Sequence, residues 1–371
     1  MRRTLAALLA CAAIAASCSN GPSSSSATPT RTANINRTKL DIVYSAFVDT
    51  DVHHVTSKKA LESALQAVRK VIKDAGGKGE VATPEFQDID SPQTTDFNKF
   101  ADAVGQLAAS NPDVSANKIA DAAIGGMIDA SPDCHTYYVT SGGSVRNSSG
   151  KSGAGSGAMP PAGGTSLGSP DQDGLTGKML PGGIAYLTWH QFEVTGTYRI
   201  TDAVKAMLDK AVAQGAKAWL FDLRANVGGN GADTMASWFL NGEPTLTVLV
   251  KTGNAGTQSG NKDLRLPQAY QLPIAIILND RGGSAPEVLT AWLKENKRAT
   301  VVGKTSIGCL GATSPTHLND GGEISVAAQE YAGAVTGTKY NNNGIAPDVA
   351  TDDATAVDKA IEILKQKIAG G

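Results

Sequence analysis

Two stretches of the chain put reactive side chains where an apolar run gives way to a helical pattern. In Asn279-Asp280-Arg281-Gly282-Gly283-Ser284-Ala285-Pro286-Glu287, a serine follows the buried-type run Ile274 to Leu278. A serine at such a turn exposes its hydroxyl. The free N–H groups and positive dipole end of the next helix would stabilise an oxyanion formed beside it. The same residue in the same place is also an ordinary helix N-cap. The second stretch, Asp222-Leu223-Arg224-Ala225-Asn226-Val227-Gly228-Gly229, closes the apolar run Ala218 to Leu223 with a charged pair and a double glycine. Glycines there let backbone N–H groups approach a bound group, and they equally suit a tight turn without one.

A nucleophilic serine needs a base, and the chain has five histidines. His53 and His54 fall in a polar helical stretch and are expected to be solvated. His317 belongs to a polar turn or strand, and His190 ends a strand where it could line a cleft. His135 stands beside Asp133 and Cys134, just before the β-forming run Thr136 to Val139. Residue types and spacing alone leave a serine hydrolase and a purely structural role for His135 both open.

The elements that would hold these groups come in two kinds. From Thr38 to Ser131 the apolar spacing is helical: Leu61, Leu65, Val68 and Ile72 share one face, as do Phe97, Phe100, Ala101, Val104 and Leu107, and Ile119, Ala123, Met127 and Ile128. Residues 141–174 are dominated by Gly, Ser and Pro and read as a long loop with no core strand. From residue 175 on, apolar runs at Ile184–Trp189, Ala218–Leu223, Ile274–Leu278 and Ala299–Val302 alternate with helical patterns at Ile200–Val212, Ala232–Leu240, Ala285–Lys294 and Ala354–Ile368. Continuous apolar strands between helices argue for an α/β fold with a mainly parallel sheet covered on both faces. Sites in such sheets form at the carboxyl ends of the strands, where both unusual junctions lie.

With 33 Lys+Arg against 35 Asp+Glu the formal net charge is −2, so the basic excess of a nucleic-acid binder is absent. No metal-ligand cluster and no phosphate loop is present in the sequence pattern, so no cofactor and no metal is implied. At the N-terminus, Met1-Arg2-Arg3, the apolar run Leu5 to Ala16 and Ser17-Cys18 have the form of a signal peptide over residues 1–17. Ala15-Ala16-Ser17-Cys18 resembles a bacterial lipobox, which would lipidate Cys18 and anchor an exported protein at the outer face of the cell membrane; plain cleavage near Ala16 is the alternative. Residues 18–37 are too poor in apolar groups to fold and read as a disordered tether.

Taken together, the segments resemble the tail-specific (carboxy-terminal processing) serine peptidase superfamily, including its tricorn-core and retinoid-binding-protein branch. Asp133-Cys134-His135-Thr136 is similar to a D-x-H-T motif. Gly183 to Leu187 resembles a G-x-I-x-Y-L strand, and Asp222 to Gly229 the D-L-R-x-N-x-G-G loop. Ser284-Ala285-Pro286-Glu287 resembles the nucleophile motif S-A-x-E, and Gly344-Ile345-Ala346-Pro347-Asp348 the closing G-I-x-P-D. The resemblance implies a ClpP/crotonase-like α/β core at 175–371 with a helical N-terminal cap at 38–140. Ser284 would be the nucleophile, His135 the general base, and the N–H groups of Gly228 and Ala285 the oxyanion hole. The substrate would be a peptide or protein, cleaved through an acyl-enzyme. Three departures follow from it. The processing-peptidase lysine falls on Cys309, and a base role for Lys304 is disfavoured. The orienting glutamate falls on Asn341. The interval where many relatives carry a PDZ-like module is the Gly/Ser run.

These departures keep a second class open, a catalytically weak relative that binds peptides or hydrophobic ligands in the same cleft; a third reading makes Cys309 the nucleophile. With Cys11 removed and Cys18 lipidated, Cys134 and Cys309 remain at the rim of the implied site. They would be either a disulfide or two separate buried thiols. Oligomeric state is open.

Overall fold

The computed structural model describes residues 35–131, 133–147, 158, 160–224 and 226–370. The leader, Cys11, Cys18 and nearly all of the tether lie outside them. Five strands form a parallel sheet in the order Val349–Ala350, Ala299–Gly303, Ile274–Leu278, Ala218–Asp222 and Ile184–Thr188. Ile184–Thr188, Ala218–Asp222 and Ile274–Leu278 are buried along their whole length, which is why their sequences are almost continuously apolar rather than alternating. One face packs against the helices Ile200–Ala213 and Ala285–Glu295 through Val204, Leu208, Leu289 and Leu293. The other is covered by the helix Ala356–Gly370 through Ala356, Ala360 and Leu364. The α/β architecture read from the sequence is therefore the one observed.

The interval 141–174 is not structureless, which corrects the sequence reading. Thr165–Gly168 pairs with Thr176–Leu180 and extends the sheet antiparallel at its edge, with Leu167 buried. Val145–Asn147 pairs with Tyr137–Val139. Edge strands contact little and need few apolar residues, so composition does not reveal them.

A second, antiparallel sheet was likewise not legible. Its long strand Glu323–Gly333 pairs with Tyr137–Val139, Gly311–His317 and Pro244–Val250, the last continuing to Gly253–Ser259. The helices Arg37–Thr50, Ser57–Asp74, Thr94–Ser110 and Ala116–Asp129 bury their apolar faces together, and Tyr138, Ile324 and Val326 of this sheet join the same core. The helical part is thus welded to the sheet that borders Ser284. Among the described residues no helix is long and apolar enough to cross a membrane.

Candidate active site

Ser284 ends the link from strand Ile274–Leu278 and is the N-cap residue of helix Ala285–Glu295. Its backbone has φ +69° and ψ −117°, a region that L-residues avoid because Cβ crowds the backbone. Strain of this kind persists only where the surroundings enforce it. Here Glu287, fully buried, does so. Its carboxyl oxygens accept the N–H groups of Ser284 (3.0 Å), Gly308 (2.8 Å) and Cys309 (2.8 Å) and the hydroxyl of Ser306 (2.5 Å). Burial pushes the Glu287 carboxyl above its ordinary pKa, against the pull of those four donors. One side chain therefore ties the serine turn to the 306–309 loop. No role for it was assigned from the sequence, although it closes the S-A-P-E motif.

The loop 226–229 lies directly against the serine. Gly228 has φ +96°, and a Cβ there would come within 2.8 Å of the Ser284 Cβ, so only glycine allows this approach. Ala285 N–H is left over at the helix start, where Pro286 has no N–H and Glu287 and Val288 already donate to the Ser284 carbonyl. Gly228 N–H donates to Asn226 Oδ1 at 3.0 Å, whereas Ala285 N–H has no hydrogen-bond partner among the described residues. Ser284, Ala285, Val288, Trp292, Gly229 and Tyr331 line a cleft of about 470 Å³, enough for a substrate side chain.

His135 reaches the same rim from the segment between helix Ala116–Asp129 and strand Tyr137–Val139. A Cβ on Gly311, which borders the cleft, would lie 3.4 Å from His135 Nδ1. Among the described residues no hydrogen bond joins Ser284 Oγ to His135. The imidazole rests on a disulfide instead, with Nε2 3.3 Å from Cys309 Sγ and Nδ1 3.5 Å from Cys134 Sγ. Cys134 and Cys309 are bonded, with Cα atoms 6.0 Å apart. With its sulfur in the bridge, Cys309 is not a free thiol nucleophile.

Among the described residues no hydrogen bond joins Asn341 to His135. Asn341 Nδ2 donates to Asp133 Oδ2 at 2.8 Å and its Oδ1 accepts Leu310 N–H at 3.1 Å. The imidazole is held by Asp133, whose Oδ1 lies 2.6 Å from the His135 backbone N and 3.2 Å from Nδ1. Burial would raise the Asp133 pKa, but the bonds from His135, His53 and Asn341 outweigh it and hold the carboxyl well below the usual range. The carboxylate that contacts His135 is thus the one in the D-x-H-T motif itself, two residues from the histidine. His53, expected to be solvated, is only 12% exposed at its side chain and bonds Asp133. His54 is exposed and pairs with Asp90. His190 lines a different cavity, with Thr188 and Arg224. His317 is exposed, and Lys304 is paired with Asp353.

The bridge closes a separation of 175 residues. A chain-entropy estimate for a loop of that length gives about 5 kcal/mol, with measured values commonly about 2–5. The double variant Cys134→Ser, Cys309→Ser should therefore lower the unfolding free energy by an amount in that range, read from a lower urea midpoint; an unchanged midpoint would show that the bridge does not restrain the unfolded chain.

Residues 183–351 match the model of peptidase family S41. The chain is similar to the carboxy-terminal processing protease CtpA of Bacillus subtilis, 26% identical over 178 residues, which cover 47% of this chain and 36% of that protein. It is also similar to the chloroplastic carboxyl-terminal-processing peptidase 3 of Arabidopsis thaliana, 30% identical over 176 residues, 47% of this chain and 32% of that one. The match thus spans about a third of the length of these curated relatives. Among solved structures, a putative peptidase from Parabacteroides merdae aligns over 83% of this chain and 96% of its own at 18% identity and a TM-score of 0.49.

Proposed function

We propose that the protein, whose residues 183–351 match the model of peptidase family S41, is a serine peptidase that cleaves peptide bonds through an acyl-enzyme on Ser284. The observation that carries this reading is the strained Ser284 turn at a helix N-terminus, packed on Gly228. Ser284 Oγ attacks the carbonyl carbon of the scissile amide while His135 takes the hydroxyl proton. The oxyanion forms beside Ala285 N–H, with Gly228 N–H joining once it leaves Asn226, in a field made favourable by the helix dipole. His135 then gives its proton to the leaving amine, and water enters to release the acyl group. Asp133 holds the tautomer that keeps Nε2 unprotonated and stabilises the imidazolium that forms.

This mechanism requires His135 Nε2 to exchange its contact with Cys309 Sγ for one with Ser284 Oγ. Catalytic hydrogen bonds are often long or misaligned before substrate binds. That same misalignment favours the second reading, a relative that binds peptides or hydrophobic ligands without cleaving them. A fluorophosphonate probe separates the two: stoichiometric labelling of Ser284 is expected, and a folded protein that takes up no label would leave only the binding role. The Ala15-Ala16-Ser17-Cys18 motif supports export and a lipid anchor on Cys18 at the outer face of a bacterial membrane. Mass spectrometry of the membrane-extracted N-terminus reads that directly.

A further inference from the structure

The polar network behind His135 continues to a second imidazole. His53 lies between helices Arg37–Thr50 and Ser57–Asp74, 80 residues before Asp133 in the chain, with Nε2 3.1 Å from Asp133 Oδ2. Its backbone N–H donates to Asp51 Oδ1 at 2.9 Å, and Asp51 Oδ2 accepts the Ser131 hydroxyl at 2.7 Å. Asp51 and Asp133 are both fully buried. One carboxylate is thus held between two histidines, His135 on Oδ1 and His53 on Oδ2, with Asn341 sharing the second oxygen.

We propose that His53 is a positioning residue that acts through Asp133, fixing the carboxylate so that Oδ1 stays on His135 and setting how basic His135 becomes. The proposal rests on the Ser284–His135 reading above. A carboxylate bonded by one imidazole can give its full charge to that ring; bonded by two, it divides its effect between them. The charged groups facing His53 are Asp51 at the end of the preceding helix, Asp133, and Glu330 on strand Glu323–Gly333. Burial disfavours a charged His53, yet the Asp133 bond and these three carboxylates raise its pKa above the ordinary value. A protonated His53 therefore competes with His135 for the charge of Asp133, one ring on each carboxylate oxygen. The device also explains why the helical cap contributes to the site at all: it supplies both Asp51 and His53 as well as the His135 segment.

The test is the pH dependence of the rate at which the fluorophosphonate labels Ser284 in the full chain. In His53→Gln the acid limb is expected to move to higher pH by about one unit, because the competing charge is gone. His53→Lys, which returns a cation, should move it back. A merely structural role would lower the rate at every pH without displacing the limb, and a limb unmoved in folded His53→Gln overturns the proposal. Should that variant not fold, NMR titration of the wild-type imidazoles decides: His53 should titrate above 6.5 and shift the His135 ring signals as it does so. A His53 that titrates without moving His135 overturns the proposal equally. If wild-type Ser284 takes no label, the peptidase reading falls, whereas the titration still reports whether the two rings are coupled.

Discussion

Replacing Ser284 is expected to abolish fluorophosphonate labelling and to lower peptide hydrolysis by at least about 10⁴-fold, the loss typical when a triad nucleophile is removed and only oxyanion donors and binding remain. The two obvious substitutions should then part company in stability. Ser284→Ala keeps a Cβ at φ +69° and ψ −117° and so keeps the strain, whereas Ser284→Gly relieves it. Such strain costs about 1–3 kcal/mol, and glycine returns about 0.5–1 of it through greater freedom of the unfolded chain. The glycine variant should therefore be more stable to urea unfolding than the alanine variant, by about 1 kcal/mol. Equal activity in wild type and Ser284→Ala would remove the nucleophile assignment. A glycine variant no more stable than the alanine one would show instead that the turn is unstrained and Ser284 an ordinary cap.

What the sequence made readable follows the kind of interaction involved. The parallel core was readable because strands such as Ile274–Leu278 are buried on both faces and carry nothing but apolar residues. The antiparallel sheet was hidden because Gly253–Ser259 and Gly311–His317 are largely exposed or half-buried and rich in Gly, Ser and Thr, so neither hydrophobic period marks them. At the site, Ser284, Gly228 and His135 stand in motifs whose neighbours are sequence neighbours. The bonds from Glu287 to the 306–309 loop and the His53–Asp133–Asn341 network are made across 19 to 208 residues of chain. Spacing within a motif carries no trace of such partners. His53 was misread for the same reason: its surroundings in sequence are polar, while its surroundings in space are a buried carboxylate pair.

Asp133→Asn is expected to cost about 10⁴-fold in turnover with the fold retained, the size seen when a triad aspartate becomes an amide. Asp133 accepts from His135 N and Nδ1 and from His53 and Asn341. An amide has one acceptor oxygen and turns donor hydrogens toward groups that already donate. Relief comes by the His135 ring taking its other tautomer, with the proton on Nε2, where it can no longer accept the serine proton. The companion variant Asn341→Asp separates the two candidates for the acid. If Asn341 were the orienting position, restoring a carboxylate there should raise activity toward that of an acid-bearing triad. With Asp133 already in that role, the new carboxyl faces it where Asn341 Nδ2 now sits 2.8 Å away, and two buried like charges cannot both ionise. One must hold a proton at neutral pH, so Asn341→Asp should lower activity and make it fall further as pH rises and that proton is lost. An increase in kcat/KM in Asn341→Asp would return the orienting role to position 341 and leave Asp133 as a support of the backbone around His135.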